Sequence, residues 1–193
     1  FGEYLDAVDR RPRDMDVCAQ LPHGALRVYV MGERAVRLEA ATEQDIATMR
    51  ALACEAMKAG AIGFSTSRSV NHKTLKGDPT PTLRANEAEL TGIAMGLKDA
   101  GAGVLEFITD WDAPDAATEF GMIRRVVERS GRPLSFSLFQ RPTTPNLWRE
   151  LLDMTLARMG LECDSAASVA EAKRLLRERA YQLCLTDMRL PDG

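Results

Sequence analysis

The run Thr186-Asp187-Met188-Arg189-Leu190-Pro191-Asp192-Gly193 sets an acid at the end of a short apolar stretch, Tyr181–Thr186, directly before a Pro-Asp-Gly turn. An acid on the C-terminal lip of a strand, followed by a tight turn, is where open α/β sheets place their chemistry. Metal chemistry has less to draw on. The chain has two histidines, His23 and His72, too few for a self-sufficient catalytic metal site. Its four cysteines, Cys18, Cys54, Cys163 and Cys184, show no CxxC spacing and sit among apolar neighbours. They read as small buried hydrophobes in a reducing, cytoplasmic setting rather than as zinc ligands.

The elements that would position these groups alternate along the chain. Strand candidates are Val17–Leu21, Ile62–Thr66, Val104–Thr109, Leu134–Phe139, Leu161–Ser165 and Gln182–Thr186. Between them lie helix signals. Thr42-Glu-Gln-Asp45 forms a capping box before Ile46, Met49, Leu52 and Ala56, with Gly60 as the stop. Asn86-Glu-Ala-Glu89 repeats it before Leu90, Ile93 and Leu97, ending at Gly101. A third helix follows Pro114 and runs to Gly131, a fourth opens at Thr144-Pro145, and Ser168-Val-Ala-Glu171 caps a fifth. Strands alternating with helices of this length imply parallel pairing, hence an α/β fold. The segments Arg27–Ala41 and Ser67–Ala85 read as long loops, the second long enough for an active-site loop.

Composition narrows the class. With 193 residues, 45% hydrophobic and 27% charged, the chain can bury a real core, and its net charge of −3 argues against nucleic-acid or membrane-surface partners. No apolar run approaches the roughly 18 residues of a membrane span. The start, Phe1-Gly-Glu-Tyr4, lacks a methionine and reads as a fragment boundary inside folded sequence.

Phe1-Gly-Glu-Tyr-Leu-Asp6, Pro22-His-Gly-Ala-Leu-Arg27, Gly60-Ala-Ile-Gly-Phe-Ser-Thr-Ser-Arg68, Asn71-His-Lys-Thr74, Gly103-Val-Leu-Glu-Phe107 and Gly131-Arg-Pro-Leu-Ser-Phe-Ser-Leu138 occur in that order. Over about residues 1–148 the chain thereby resembles the middle of an amidohydrolase-superfamily enzyme of the N-acyl-D-amino-acid deacylase (D-aminoacylase) group. The resemblance implies part of a metal-dependent TIM barrel that hydrolyses C–N amide bonds with a metal-activated water. Chemistry in such barrels lies on the C-terminal strand ends. There it places His23, Ser65, Ser67, Asp110 and Gln140, with Arg27, Arg68 and His72 in the adjoining loops. Asp110 and His23 become the catalytic candidates. Ser65, Ser67, Arg27, Arg68, His72 and Gln140 become substrate contacts, an arginine holding a carboxylate by a bidentate pair. His23 and His72 are the candidate zinc ligands. The pattern also departs from the family's. The H-x-H ligand pair of the opening strand is absent, Thr109-Asp-Trp-Asp112 and Ser137-Leu-Phe-Gln140 stand where further histidines belong, and the downstream catalytic aspartate is missing. The expected outcome is an amidohydrolase-derived chain that binds no metal and is inactive as it stands.

From about Arg149, Glu150-Leu-Leu-Asp-Met-Thr-Leu-Ala-Arg-Met-Gly160, Leu161–Ala167, Ser168–Ala180 and Gln182–Gly193 resemble the first half of a flavodoxin-like response-regulator receiver of the nitrogen-regulator class. That resemblance makes Asp187 a phosphoacceptor and gives Mg²⁺ Asp187 and the Arg189 carbonyl, with a histidine kinase as partner. The acid pair expected before Glu150 is absent. Arg149–Leu152 fits both patterns, so the crossover falls there, giving a partial barrel over 1–148 and a partial receiver over 149–193. The alternative function is a two-component signalling module phosphorylated on Asp187. Unpaired sheet edges in such a mosaic are expected to drive self-association.

Overall fold

The computed structural model describes residues 1–110, 116–137, 145–158 and 168–178. The chain divides into two compact units, Phe1–Leu138 and Phe139–Gly193. In the first, β1 (Leu21–Pro22), β2 (Gly63–Arg68), β3 (Val104–Thr109) and β4 (Leu134–Phe136) form a sheet in the order β1-β2-β3-β4, every neighbour pair parallel. Consecutive parallel strands in sequence order, joined through helices, are the wall of a β/α barrel. The helices are α1 (Gly2–Asp9), α2 (His23–Met31), α3 (Glu33–Val36), α4 (Glu43–Lys58), α5 (Glu87–Ala100) and α6 (Ala116–Ser130). The second unit contributes α7 (Leu147–Arg158) and α8 (Val169–Glu178).

The capping signals act where the sequence sets them. Thr42 accepts from the Asp45 backbone N–H while the Asp45 carboxylate accepts from the Thr42 N–H, a complete box at the head of α4. The hydrogen bond from Arg34, together with those from Thr42, holds the Asp45 carboxyl at about 2 against the opposing cost of burial. Gly101 ends α5 in the left-handed conformation, φ 71°, where a Cβ would be strained.

Strand pleating sorts the two sheet faces. Phe64, Leu105 and Phe107, all 0% exposed, point toward the helix layer with Thr66 and Thr109. Met49 and Ala53 of α4, Leu90, Ile93 and Leu97 of α5, and Ile123 and Val126 of α6 are buried as well. Each large apolar side chain buried this way contributes about 2 kcal/mol. On the opposite face Ser65, Glu106 and Ser135 stand in one register row, half-buried or exposed.

Three expectations change. The strand read over Val17–Leu21 narrows to Leu21–Pro22, although Ile62 N–H still donates to the Ala19 carbonyl just ahead of it. The loop read over Arg27–Ala41 is mostly helical, α2 and α3 separated at Gly32. Gly24, Val28, Tyr29 and Val30 are weak helix formers, so burial of His23, Leu26, Arg27 and Met31 along one face drives α2 where propensity does not. Helix α1, which no sequence signal announced, contains no buried residue. Of Leu134–Phe139, the strand covers Leu134–Phe136, and the strand candidates Leu161–Ser165 and Gln182–Thr186 lie outside the described residues.

Candidate functional site

His23 does not stand on an open strand rim. It is the first residue of α2, directly after β1, and is 1% exposed. The Thr66 hydroxyl donates to its Nδ1 at 2.8 Å, and its Nε2–H donates to Glu89 Oε1 at 2.9 Å. Both ring nitrogens are therefore engaged by the protein. Burial lowers the His23 pKa, outweighing the hydrogen bond to Glu89 that would raise it, so the ring is neutral.

Arg27, one helical turn further along α2, is 0% exposed. Its Nε donates to the same Glu89 oxygen at 2.7 Å, one terminal nitrogen to the carbonyls of Pro81 (2.8 Å) and Ala35 (3.3 Å), and the other to the Glu39 carbonyl. The guanidinium ties α2, the segment after α3, the loop before α5 and α5 itself to one point. Four of its five N–H donors are engaged and the side chain is fully buried, which closes it to a substrate carboxylate.

Glu89 is the residue that sequence reasoning assigned to a cap. The Asn86 side chain does accept from the Glu89 N–H at 3.0 Å, but the Glu89 carboxylate turns inward. Burial pushes its pKa up; the hydrogen bond from His23 and the charge of Arg27 outweigh that and hold it below the ordinary value. Its Oε2 is buried with no hydrogen-bond partner among the described residues. An acid at the third helical position looks like a capping acid in any sequence, and only the facing Arg27 distinguishes the two roles.

This neutral histidine gives a pH prediction. Its folded pKa lies below the ordinary value of 6.5, so the unfolded chain binds the proton first as pH falls. The stability is therefore fully present above about pH 6.5 and declines as pH drops below it, in the same direction as the lowered carboxyl of Glu89. Urea melts from pH 7.5 to 5 should show that loss, and His23→Gln should flatten the slope between pH 6.5 and 5.

Arg68, at the end of β2, pairs with Glu119 of α6 through Nε at 2.6 Å and a terminal nitrogen at 3.1 Å, and donates to the Ala85 carbonyl. Thr109 donates to the same Glu119 at 2.9 Å. Asp110, just past β3, accepts from Ser69 Oγ (2.7 Å), the Val70 N–H (2.6 Å) and Asn71 Nδ2 (3.3 Å), pinning the loop that follows β2. Ser67 and His72 meet within that loop, Oγ to Nδ1 at 2.6 Å. Ser65 lies on the open sheet face beside Glu106. Gln140, Asp187 and Arg189 lie outside the described residues.

The structure thus joins His23 with Arg27 through Glu89, and Ser67 with His72 directly. A zinc ion does not fit the described donors. His23 would have to break a buried hydrogen bond to ligate, and no group of three His, Cys, Asp or Glu among the described residues could hold a metal.

The family profile of the amidohydrolases matches residues 1–192. The D-aminoacylase of Alcaligenes xylosoxydans xylosoxydans is 27% identical over 184 residues, spanning 93% of this chain and 35% of that protein. A solved structure of a mutant D-aminoacylase in complex with CuCl2 superposes with a TM-score of 0.58 at 24% identity, over 72% of this chain and 27% of that one, which shows a shared fold. The response regulator protein PilR of Pseudomonas aeruginosa is 60% identical over 45 residues, 23% of this chain and 10% of that protein. The chain therefore spans a minority of each of these relatives.

Proposed function

Because the chain belongs to the amidohydrolase family, we propose that it is a deacylase-type barrel segment, a relative of hydrolases that open the C–N bond of N-acyl-D-amino acids. In this reading it keeps the scaffold of that reaction and not its metal centre. The observation that carries the proposal is His23, its two ring nitrogens bound to Thr66 and Glu89, with the buried Arg27 on the same Glu89 oxygen. The resemblance offers this histidine as a zinc ligand; its burial and its two hydrogen bonds favour a core role. With Zn²⁺ supplied, the full chain is expected to release no amino acid from N-acyl-D-amino acids above background. Zinc-dependent release that disappears in His72→Ala would overturn the proposal.

The response-regulator likeness supports a second reading for the remainder, a phosphoacceptor segment with Asp187 as acceptor and a histidine kinase as partner. The matched length equals that of residues 149–193, and α7 runs unbroken through Arg149–Leu152. A join inside a continuous helix keeps the β/α period in phase, which favours a mosaic with its crossover there. Phosphorylation needs acids to hold Mg²⁺, and Thr144-Pro-Asn-Leu-Trp-Arg149 supplies none. Intact-mass analysis after a small phosphodonor and Mg²⁺ should therefore find the chain unmodified; an added phosphoryl mass absent in Asp187→Asn would establish the signalling module instead.

Among the described residues no helix is long and apolar enough to cross a membrane, and a cytoplasmic location is a component of the same proposal. So is self-association: β1 and β4 are the outer strands of the described sheet, and parallel edges of this kind pair readily with a second chain.

A further inference from the structure

Two hydroxyl–imidazole pairs occur among the described residues, and they differ in access. Thr66–His23 is sealed, at 4% and 1% exposure, with Glu89 on the far ring nitrogen. Ser67–His72 is open: Ser67 is half-buried, His72 is exposed, and Oγ lies 2.6 Å from Nδ1. We propose that Ser67 and His72 form a nucleophile–base pair that accepts acyl groups from activated esters without a metal.

The placement suits that chemistry. Ser67 follows the pleat of β2 onto the same face as Ser65, opposite the helix layer, at the C-terminal end of a central parallel strand. The loop that carries His72 is built rather than loose. Asp110 holds Ser69, Val70 and Asn71, and the His72 N–H donates to the Ser69 carbonyl at 3.3 Å. A bridge between Lys73 and Pro79 closes the far side, and the Thr82 hydroxyl donates to the Ser67 carbonyl. The backbone on both sides of the pair is thereby held in place, at Ser67 and at His72. With the ring proton on Nε2, Nδ1 is free to accept the serine hydrogen, the arrangement that activates a hydroxyl for attack.

In the acylation step Ser67 Oγ forms a bond to the ester carbonyl carbon while its proton passes to His72 Nδ1. The bond from that carbon to the leaving oxygen then breaks, and the departing alkoxide takes the proton from Nδ1. Water repeats the sequence on the acyl-serine, releasing the acid and restoring both groups. No oxidant or cofactor enters the balance.

The test treats the full chain with a fluorophosphonate in the presence of EDTA, so that its outcome does not depend on the zinc reading above. Attack by Oγ releases fluoride and leaves one phosphonyl group on the protein, read by intact mass and mapped by peptide. The expected result is a single adduct on the peptide holding Ser67, absent in Ser67→Ala and formed about 100-fold more slowly in His72→Gln, the usual scale of a lost general base. Circular dichroism of both variants should match the parent, since the loop keeps its Asp110 and Thr82 contacts. An unlabelled parent, a label that survives Ser67→Ala, or labelling of His72→Gln at the parental rate would overturn the proposal, the last by showing the pair to be a loop clasp.

Discussion

Replacing Arg27 by Met is expected to destabilise the Phe1–Leu138 unit by about 3–5 kcal/mol, because it strands the Glu89 carboxylate in the core. Glu89 Oε2 already lacks a partner among the described residues, so the charge is carried by Oε1 alone through Arg27 and the neutral His23. Three backbone carbonyls that accept from the guanidinium, those of Ala35, Glu39 and Pro81, lose a donor as well. A loss of this size is a large fraction of the roughly 5–15 kcal/mol that holds a typical domain folded. In a thermal melt it corresponds to a drop of roughly 10 °C or more. The double variant Arg27→Met, Glu89→Leu should recover a measurable share, since it removes the buried charge along with its partner. If Arg27→Met melts within about 1 kcal/mol of the parent, the cluster is not the structural centre described here.

The second large effect is steric and depends on position. A Cβ on Gly96 of α5 would lie 2.3 Å from the Arg50 carbonyl oxygen and 3.0 Å from the Ala53 Cβ of α4. Gly92, one turn earlier, meets Ile46 Cγ2 at the same 2.3 Å, so the two glycines form the groove in which α4 lies. Gly96→Ala gains about 1 kcal/mol of helix propensity. It must also push apart helices that are in contact, an overpacking cost of about 3 kcal/mol. The net expectation is a loss of about 2 kcal/mol. Gly24→Ala in α2 makes the control, for nothing lies within 4 Å of its Cβ position, and it should gain a few tenths to about 1 kcal/mol. Chemical melts of the pair should move in opposite directions; equal shifts would contradict the close approach of α4 and α5.

Much of the scaffold was legible because it is written locally. β3 spans Val104–Thr109 as its apolar run implies, α4 and α5 start where the side chains of Thr42 and Asn86 cap them, and α5 stops at Gly101. What was not legible is written between distant residues. Helix α2 forms because His23, Leu26, Arg27 and Met31 are buried by elements far along the chain, against weak local propensity. The site was harder still. His23, Arg27 and Arg68 have the residue types and positions of ligands and substrate clamps, yet their partners, Glu89 and Glu119, sit 66, 62 and 51 residues away. A carboxylate in the first turn of a helix gives no sign in sequence that it faces an arginine rather than its own backbone. Asp110 shows the same limit: its strand-end position was readable, and its hold on the loop before His72 was not.

On the proposed reading, His23 of this amidohydrolase segment is a core residue rather than a zinc ligand. Equilibrium dialysis of the full chain against Zn²⁺ at pH 7.5, followed by elemental analysis, tests it most directly. Sub-stoichiometric zinc, no different between the parent and His23→Gln, is the predicted result. Stoichiometric zinc in the parent that is lost in a folded His23→Gln variant would show that the histidine leaves Thr66 and Glu89 to bind metal, and would contradict it.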